Sequence, residues 1–359
     1  MAKKNLFLNK KNWLVSLVLI LTFLGTLFVF DASVAEAFRT FNDQYHFLKQ
    51  HSLWAILGII AMLITSLVPL SLWEKISKPI FIFGLILLTM VFIPGIGREL
   101  NGAHRWIFLG SLRFQPIEPF KIALIIFFAN WLSQHQRTMP FLFTTSLPIL
   151  LILLQPDLGS ILILGTIAFG MFFIAGGKML HILGISGLTI LLIMIAILSS
   201  SYRRERLNTF LNPQSDPLGS GFHIRQITLA LGRGGVAGQG IGNSRQKFSY
   251  IPEASTDSIF AIIAEEVGFI GSSILLILFG TYFFIASKIA NAASDPFAML
   301  LGWGIIIWIA SQVLLNLAAV VALVPLTGLP LPFISYGGSS LIMILIANGI
   351  LLRIAKEYN

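Results

Sequence analysis

Apolar residues in this chain fall in long runs separated by polar breaks, and the runs are too long and too uniform for the alternation of a half-buried strand. Ten can be read, near 13–30, 53–69, 76–93, 119–133, 141–154, 158–175, 179–199, 258–286, 297–321 and 337–353. The hydrocarbon core of a bilayer, about 30 Å thick, takes about 20 apolar residues per helix, so the pattern predicts ten transmembrane helices. The fifth run is short and carries Pro148. The first follows Lys3, Lys4, Lys10 and Lys11, and Ala35-Glu36-Ala37 beyond it resembles a signal-peptide cleavage site. Its apolar stretch, about 17 residues, exceeds the usual signal h-region, and it is read as a retained span.

Composition narrows the class. Of 359 residues 56% are hydrophobic and only 11% charged, where a soluble domain carries about 25% charged residues. So little polar surface cannot coat a soluble globule of this size. A soluble enzyme, a disordered chain and a secreted disulfide scaffold are excluded, and the absence of Cys removes thiolate catalysis and Cys-ligated metals. The expected fold is an all-α polytopic membrane protein, a single domain over 1–359 with one large extracytoplasmic loop, 200–258. The net charge of +9 points to anionic lipid or ligand and not to nucleic acid, because the basic residues lie between spans.

With the basic N-terminus inside, ten spans place both termini in the cytoplasm. The inside segments then hold 11 Lys and Arg and the outside segments 13, seven of them in 200–258. That outward surplus calls for an anionic ligand. The connections 31–52, 94–118 and 200–258 are long, and loops beyond about 15 residues without periodicity of their own are usually functional. No internal repeat is legible, nor an inverted pair of Gly/Pro-broken spans, which weighs against a secondary transporter.

Polar chemistry collects in three outer segments. The first reads Asn101-Gly102-Ala103-His104-Arg105-Trp106-Ile107, then Gln115-Pro116-Ile117-Glu118-Pro119-Phe120-Lys121. Glu118 and Lys121 are three apart and share a helix face. They are either a satisfied pair at a helix entry, with an interfacial Trp106, or a site, since a charge at mid-bilayer costs at least about 2.5–3.5 kcal/mol. The second is Gln155-Pro156-Asp157-Leu158-Gly159, where Asp157 is expected to cap a helix and can also wall a site. The third is the long loop. Arg203-Arg204-Glu205-Arg206 opens it, glycines crowd 232–242, and Arg245 and Lys247 follow. No Gly-Lys-Ser/Thr and no βαβ pattern accompany the glycines, so Walker and Rossmann readings fail. Gly238, Gly240 and Gly242 read as tight turns, and Ile224, Ile227 and Leu231 as a short helix lying on the membrane surface.

Asp257 stands where this loop enters the eighth span. A carboxylate at a water–hydrocarbon boundary is tuned by desolvation and by nearby cations, which suits a general base; an idle helix cap is the competing reading. Lys121 is expected near it as counter-charge. Glu265 and Glu266, two turns deeper, should pair with a neighbour or line a polar cavity.

At these residues the chain resembles the SEDS family (shape, elongation, division and sporulation), over essentially its whole length. To the segments above are added Phe210-Leu211-Asn212-Pro213, Pro252-Glu253…Thr256-Asp257…Glu265-Glu266…Gly268, and Leu331-Pro332-Phe333-Ile334-Ser335-Tyr336-Gly337-Gly338-Ser339-Ser340. Gly242 to Lys247 and Asp216-Pro217…Gly219-Ser220-Gly221 look more like the division branch, FtsW, than the elongation branch, RodA. Two positions depart from the family pattern: Ser258 stands where Phe is usual after the Asp, and Ile117 where Ser is usual.

The resemblance implies a ten-helix peptidoglycan glycosyltransferase of the bacterial cytoplasmic membrane, active on its outer side. It would polymerise lipid II onto an undecaprenyl-pyrophosphate-linked glycan, paired with a class B penicillin-binding protein and other division or elongation proteins. Asp257 matches the family's essential aspartate. Arg105, Trp106, Glu118, Lys121 and Asp157 are expected around the substrate. Arg204, Arg245 and Lys247 are expected at its pyrophosphate, alone or with a divalent cation, Mg or Mn. Ser335 and Ser339 lie in irregular backbone that lines a polar cavity or packs two spans together. The rival of another class is a lipid II flippase without chemistry, which would need polar groups through the full bilayer depth; a scaffold that only recruits a partner leaves the intramembrane charges unexplained.

Overall fold

The structure is a computed structural model and describes residues 10–100, 103–109, 112–135, 137–178, 194, 201–212, 220–248 and 254–358. Nine of the ten predicted spans fall on helices; the seventh, near 179–199, lies outside the described residues apart from residue 194. Before it come α1 (Lys10–Phe41), α2 (His46–Thr65), the short α3 (Leu70–Lys75), α4 (Ser77–Met90), α5 (Ile117–Gln134), α6 (Thr138–Leu154) and α7 (Leu158–Ile174). After it come α8 (Ser201–Leu211), α9 (Ser220–Gly234), α10 (Ile259–Ala290), α11 (Pro296–Val320) and α12 (Gly338–Tyr358).

Among the described residues five helices, α1, α2, α10, α11 and α12, are long and apolar enough to cross a membrane, and α4, α6 and α7 are shorter apolar helices. Their outward faces carry Phe23, Ile56, Phe83, Phe143, Ile277 and Phe284, each more than half exposed. Apolar surface on this scale needs hydrocarbon around it. α5 and α11 pack together at the centre, and both are apolar on nearly every side, as enclosed helices must be. Their buried side chains include Phe120, Ile125 and Phe128 on α5 and Ile305, Trp308 and Ile309 on α11.

Three expectations need correction. The connection expected at 31–52 is mostly helix, because α1 runs to Phe41 and α2 starts at His46. Asp31 looked like a break, yet the Ala-rich stretch behind it contains no helix breaker, so the helix continues past the hydrocarbon. Among the described residues the chain is all-α apart from a small antiparallel sheet of β1 (Gly97–Leu100), β2 (Ala103–Leu109) and β3 (Leu112–Phe114), in that order. Ile107 is its inward anchor, opposite Gly97 on one side and Phe114 on the other. The aromatic and β-branched run Trp106-Ile107-Phe108 favours strand but is too short to stand out beside the spans. Finally, the 200–258 loop contains α8 and α9. Ile227 and Ala230 of α9 are buried and the helix packs on α10, so protein covers part of its apolar stripe, while Ile224 and Leu231 stay partly exposed.

Candidate active site

α10 begins just after a turn at 254–258 in which Ala254, Ser255, Asp257 and Ser258 are buried. Two elements hold that turn. From α11, Asn316 Nδ2 donates to the Asp257 carbonyl at 2.7 Å and to the Leu329 carbonyl at 2.8 Å. From the segment before α12, the Tyr336 amide donates to the Ser255 carbonyl at 2.8 Å. Ser335 Oγ donates to the Thr256 carbonyl and accepts from the Leu331 amide at 2.7 Å. The Leu331–Ser335 turn is itself packed inside, with Phe333 and Ile334 buried. A Cβ at Gly25 of α1 would stand 2.1 Å from the Phe333 oxygen, so glycine is what lets that turn seat against α1. Ser335 therefore serves the backbone around Asp257, while Ser339 sits half-buried in the first turn of α12.

The carboxylate of Asp257 accepts from Ser258 Oγ through Oδ1 at 3.4 Å, and Ser258 Oγ lies 2.9 Å from His223 Nε2 on α9. The N-cap position of α10 falls on Ser258, not on Asp257, and the Ser258 side chain makes no capping bond.

Lys121 is not paired with Asp257. Its ammonium lies 2.9 Å from the Glu118 carboxylate, 3.0 Å from Gln312 Oε1 and 4.8 Å from the centroid of the Trp308 ring. A pair three residues apart on one helix is satisfied locally, and two buried charges are tolerable only together. The link to Asp257 runs instead through α11. Gln312 also accepts from Trp308 Nε1 at 3.0 Å and donates to the Pro330 carbonyl at 2.9 Å, one turn before Asn316.

Arg105 and Asp157 build a second corner. The Arg105 guanidinium donates to the Gln155 carbonyl at 3.3 Å and to the Pro156 carbonyl, and its Nε lies 3.8 Å from Asp157 Oδ2. Asp157 caps α7 as expected, accepting from the Ser160 amide at 3.1 Å and from Ser160 Oγ at 2.9 Å. Gln155 Nε2 reaches the Leu88 carbonyl at 2.9 Å. Two motifs some 50 residues apart thus dock the sheet, where Trp106 is half-buried on β2, against the start of α7.

The glycine-rich stretch has a function that its sequence did not reveal. α10 is broken at Gly268, where φ is +64° and ψ −165°. The break frees carbonyls and amides that a continuous helix would pair, and the loop takes them up. Gln239 and Gly240 donate to the carbonyls of Glu265 and Glu266 at 3.0 Å, and Phe269 and Ile270 donate to Gly235 and Val236 at 2.9 and 3.1 Å. Gly238, Gly240 and Gly242 have φ of +82°, +95° and +85°, the tight turns expected of them. Non-helical backbone in a span is tolerable where protein satisfies it.

The two carboxylates are covered by the same loop. Ser244 Oγ donates to Glu265 Oε2 at 2.5 Å, the Ser244 amide to Glu266 Oε1 at 3.1 Å, and Lys247 Nζ to Glu266 Oε1 at 3.0 Å and Asp31 Oδ1 at 2.8 Å. Burial alone would lower the pKa of Lys247, but the hydrogen bonds to Asp31 and Glu266 and the pull of their charges hold it above the ordinary lysine value. Lys247 is thus committed to two carboxylates, whereas Arg204 and Arg245 are exposed and form no ion pair among the described residues. The side chains of Arg203 and Arg206 lie outside the described residues.

Sequence reading missed Asn316, Gln312, His223 and Asp31. The first two carried a signal: with Trp308 they recur every four residues inside an apolar run, one polar stripe on a buried helix.

Buried carboxylates, amides and cations gathered where the ends of apolar helices meet an irregular loop define a multi-span membrane protein with a polar site let into its bundle. The chain belongs to the FtsW/RodA/SpoVE family, whose model, described as cell cycle protein, matches residues 12–359. It is 41% identical over 360 residues to stage V sporulation protein E of Bacillus subtilis, covering 96% of each. It is 39% identical to the probable peptidoglycan glycosyltransferase FtsW of Trichlorobacter lovleyi, covering 95% of this chain and 92% of that one. Relatives of sporulation and division naming stand at nearly equal identity, so the comparisons do not separate the branches. Among solved structures, the rod shape determining protein RodA of Thermus thermophilus superposes with a TM-score of 0.72 at 28% identity, covering 96% of each chain. A chain from the structure "Structural coordination of polymerization and crosslinking by a peptidoglycan synthase complex" gives 0.80 at 29%, covering 96% of this chain and 97% of that one.

Proposed function

We propose that this chain is a peptidoglycan glycosyltransferase that polymerises lipid II, with Asp257 as general base. The observation that carries the reading is Asp257 itself, a buried residue whose carbonyl is held by α11 and whose neighbours Ser255 and Thr256 are held by the segment before α12. A base must be fixed within hydrogen-bond reach of the proton that it takes. Asp257 accepts the proton of the acceptor sugar's 4-hydroxyl as that oxygen bonds to the donor's anomeric carbon. The bond from that carbon to pyrophosphate breaks, and the leaving group departs with its electron pair. An α-linked donor gives a β-1,4 bond, so a single displacement with one base suffices.

The leaving pyrophosphate needs cations, and Arg204 and Arg245 are exposed on the loop, as are Arg225 and Arg233. A divalent cation, Mg or Mn, would be held between the pyrophosphate oxygens and one or two carboxylates, and would add to the charge neutralisation that the arginines supply. Activity on the outer face of a bacterial cytoplasmic membrane fits the outward basic surplus. The likeness to a chain of a peptidoglycan synthase complex supports a class B penicillin-binding protein as partner.

The test is polymerisation of purified lipid II by the purified protein, with and without such a partner. Asp257→Asn should lower the rate by at least about 10²-fold, the range for loss of a general base. Polymer at near wild-type rate by that variant would remove Asp257 from the chemistry. Lipid II crossing vesicles without polymer formation by the unaltered protein would favour the carrier.

A further inference from the structure

Ser258 stands between two polar groups. Its Oγ lies 3.4 Å from Asp257 Oδ1 and 2.9 Å from Nε2 of His223, which α9 brings from 35 residues earlier in the chain. A hydroxyl has one proton to give, and an ionised carboxylate can only accept. With Ser258 donating its own proton to a hydrogen bond with Asp257, its contact with His223 is a hydrogen bond only if the Ser258 oxygen accepts, which requires a proton on Nε2 of the imidazole. Both donors then point one way, from His223 to Ser258 and from Ser258 to the carboxylate. The Asp257 bond is long for an O–H···O contact, and bonds of this kind tighten when substrate fills a site.

Ser258 holds the N-cap position of α10 without making a capping bond. α9 also packs on α10, with Ile227 and Ala230 buried. Ser258 is also one of the two positions at which the chain departs from the motif that it resembles; a Phe there would have no proton to donate.

We propose that Ser258 and His223 are positioning residues for Asp257, holding its carboxylate through Oδ1 in the orientation in which it takes the proton of the acceptor hydroxyl. The proposal rests on the reading of Asp257 as base. It makes α9 part of the catalytic geometry, because the loop that carries His223 aligns the carboxylate through Ser258.

The experiment uses the full-length protein with purified lipid II, the same partner present throughout, and kcat and KM measured separately. Asp257→Asn is assayed first: if it polymerises at the wild-type rate, the base reading itself fails. Given loss there, Ser258→Ala and His223→Leu should each lower kcat about tenfold, the worth of one hydrogen bond to the transition state, with KM and melting temperature unchanged. Ser258→Thr keeps a hydroxyl, and His223→Gln can present an amide N–H near the position of Nε2; both should recover most of the rate. The double variant Ser258→Ala/His223→Leu should be no slower than either single one, since the two act in series. Wild-type kcat in both single variants would overturn the proposal. So would equal losses with Thr and Gln as with Ala and Leu, or additive losses in the double variant, while leaving Asp257 as base intact.

Discussion

Asn316 Nδ2 lies 2.7 Å from the backbone oxygen of Asp257 and 2.8 Å from that of Leu329, so one amide group on α11 joins the turn bearing the candidate base to the segment before α12. All three residues are buried. A buried carbonyl deprived of its donor costs about 1–3 kcal/mol. Asn316→Ala should therefore lower the melting temperature in detergent and reduce kcat more than it raises KM. Asn316→Asp should be no better, because an ionised carboxylate has nothing to donate. Wild-type kcat in either variant would mean that the turn is held without α11.

The break in α10 gives a second prediction. A Cβ at Gly268 would stand 2.3 Å from the Gly238 amide nitrogen, at a φ of +64°. Strain of this kind costs about 1–3 kcal/mol, before the loss of the loop's bonds to Glu265 and Glu266. Gly268→Ala should destabilise the protein and expose 235–248 to protease. Gly232→Ala is the control: a Cβ there meets nothing within 4 Å, and on α9 it should be neutral or slightly stabilising. Similar melting of the two variants would count against the docked loop.

The loop cations should divide by burial. Lys247 is buried between Asp31 and Glu266, and removing one member of a buried ionic cluster costs about 3–5 kcal/mol. Lys247→Ala should lose folded protein. Arg204→Ala and Arg245→Ala should melt as the wild type does, since exposed charges add little to stability, yet weaken the use of lipid II. An even, shallow response across all three, rescued by more anionic lipid, would point to headgroup binding.

How much of this could be read from the chain follows from the range of each interaction. Run length is a local property, and it located every described span. The Asp157 cap and the Glu118–Lys121 pair act within one helical turn and were equally legible. The partner of Lys247 was not, because Asp31 lies 216 residues away and its ionic role depends on α1 passing α10. The glycines of 235–242 were legible as turns but not as partners of a broken helix, since nothing local says which carbonyls they meet. Lys121 was expected beside Asp257 on charge alone. The shorter reach to Glu118 won, and Gln312 on α11 took the remaining contact.

That last cluster separates a folding role from a functional one. Lys121→Met alone leaves the Glu118 carboxylate buried without its cation, and Glu118→Gln alone does the reverse; each should cost about 3–5 kcal/mol. The double variant removes both charges and should recover most of the stability, because no unpaired charge remains. Activity should not follow. Lys121 also holds Gln312 Oε1 at 3.0 Å, and Gln312 and Asn316 share the face of α11 that grips Pro330, Leu329 and the Asp257 turn. A methionine removes one of the three hydrogen bonds that fix Gln312, so kcat should stay low although the melting temperature returns. Recovery of both in the double variant would confine the pair to folding and cut the connection from α5 to Asp257.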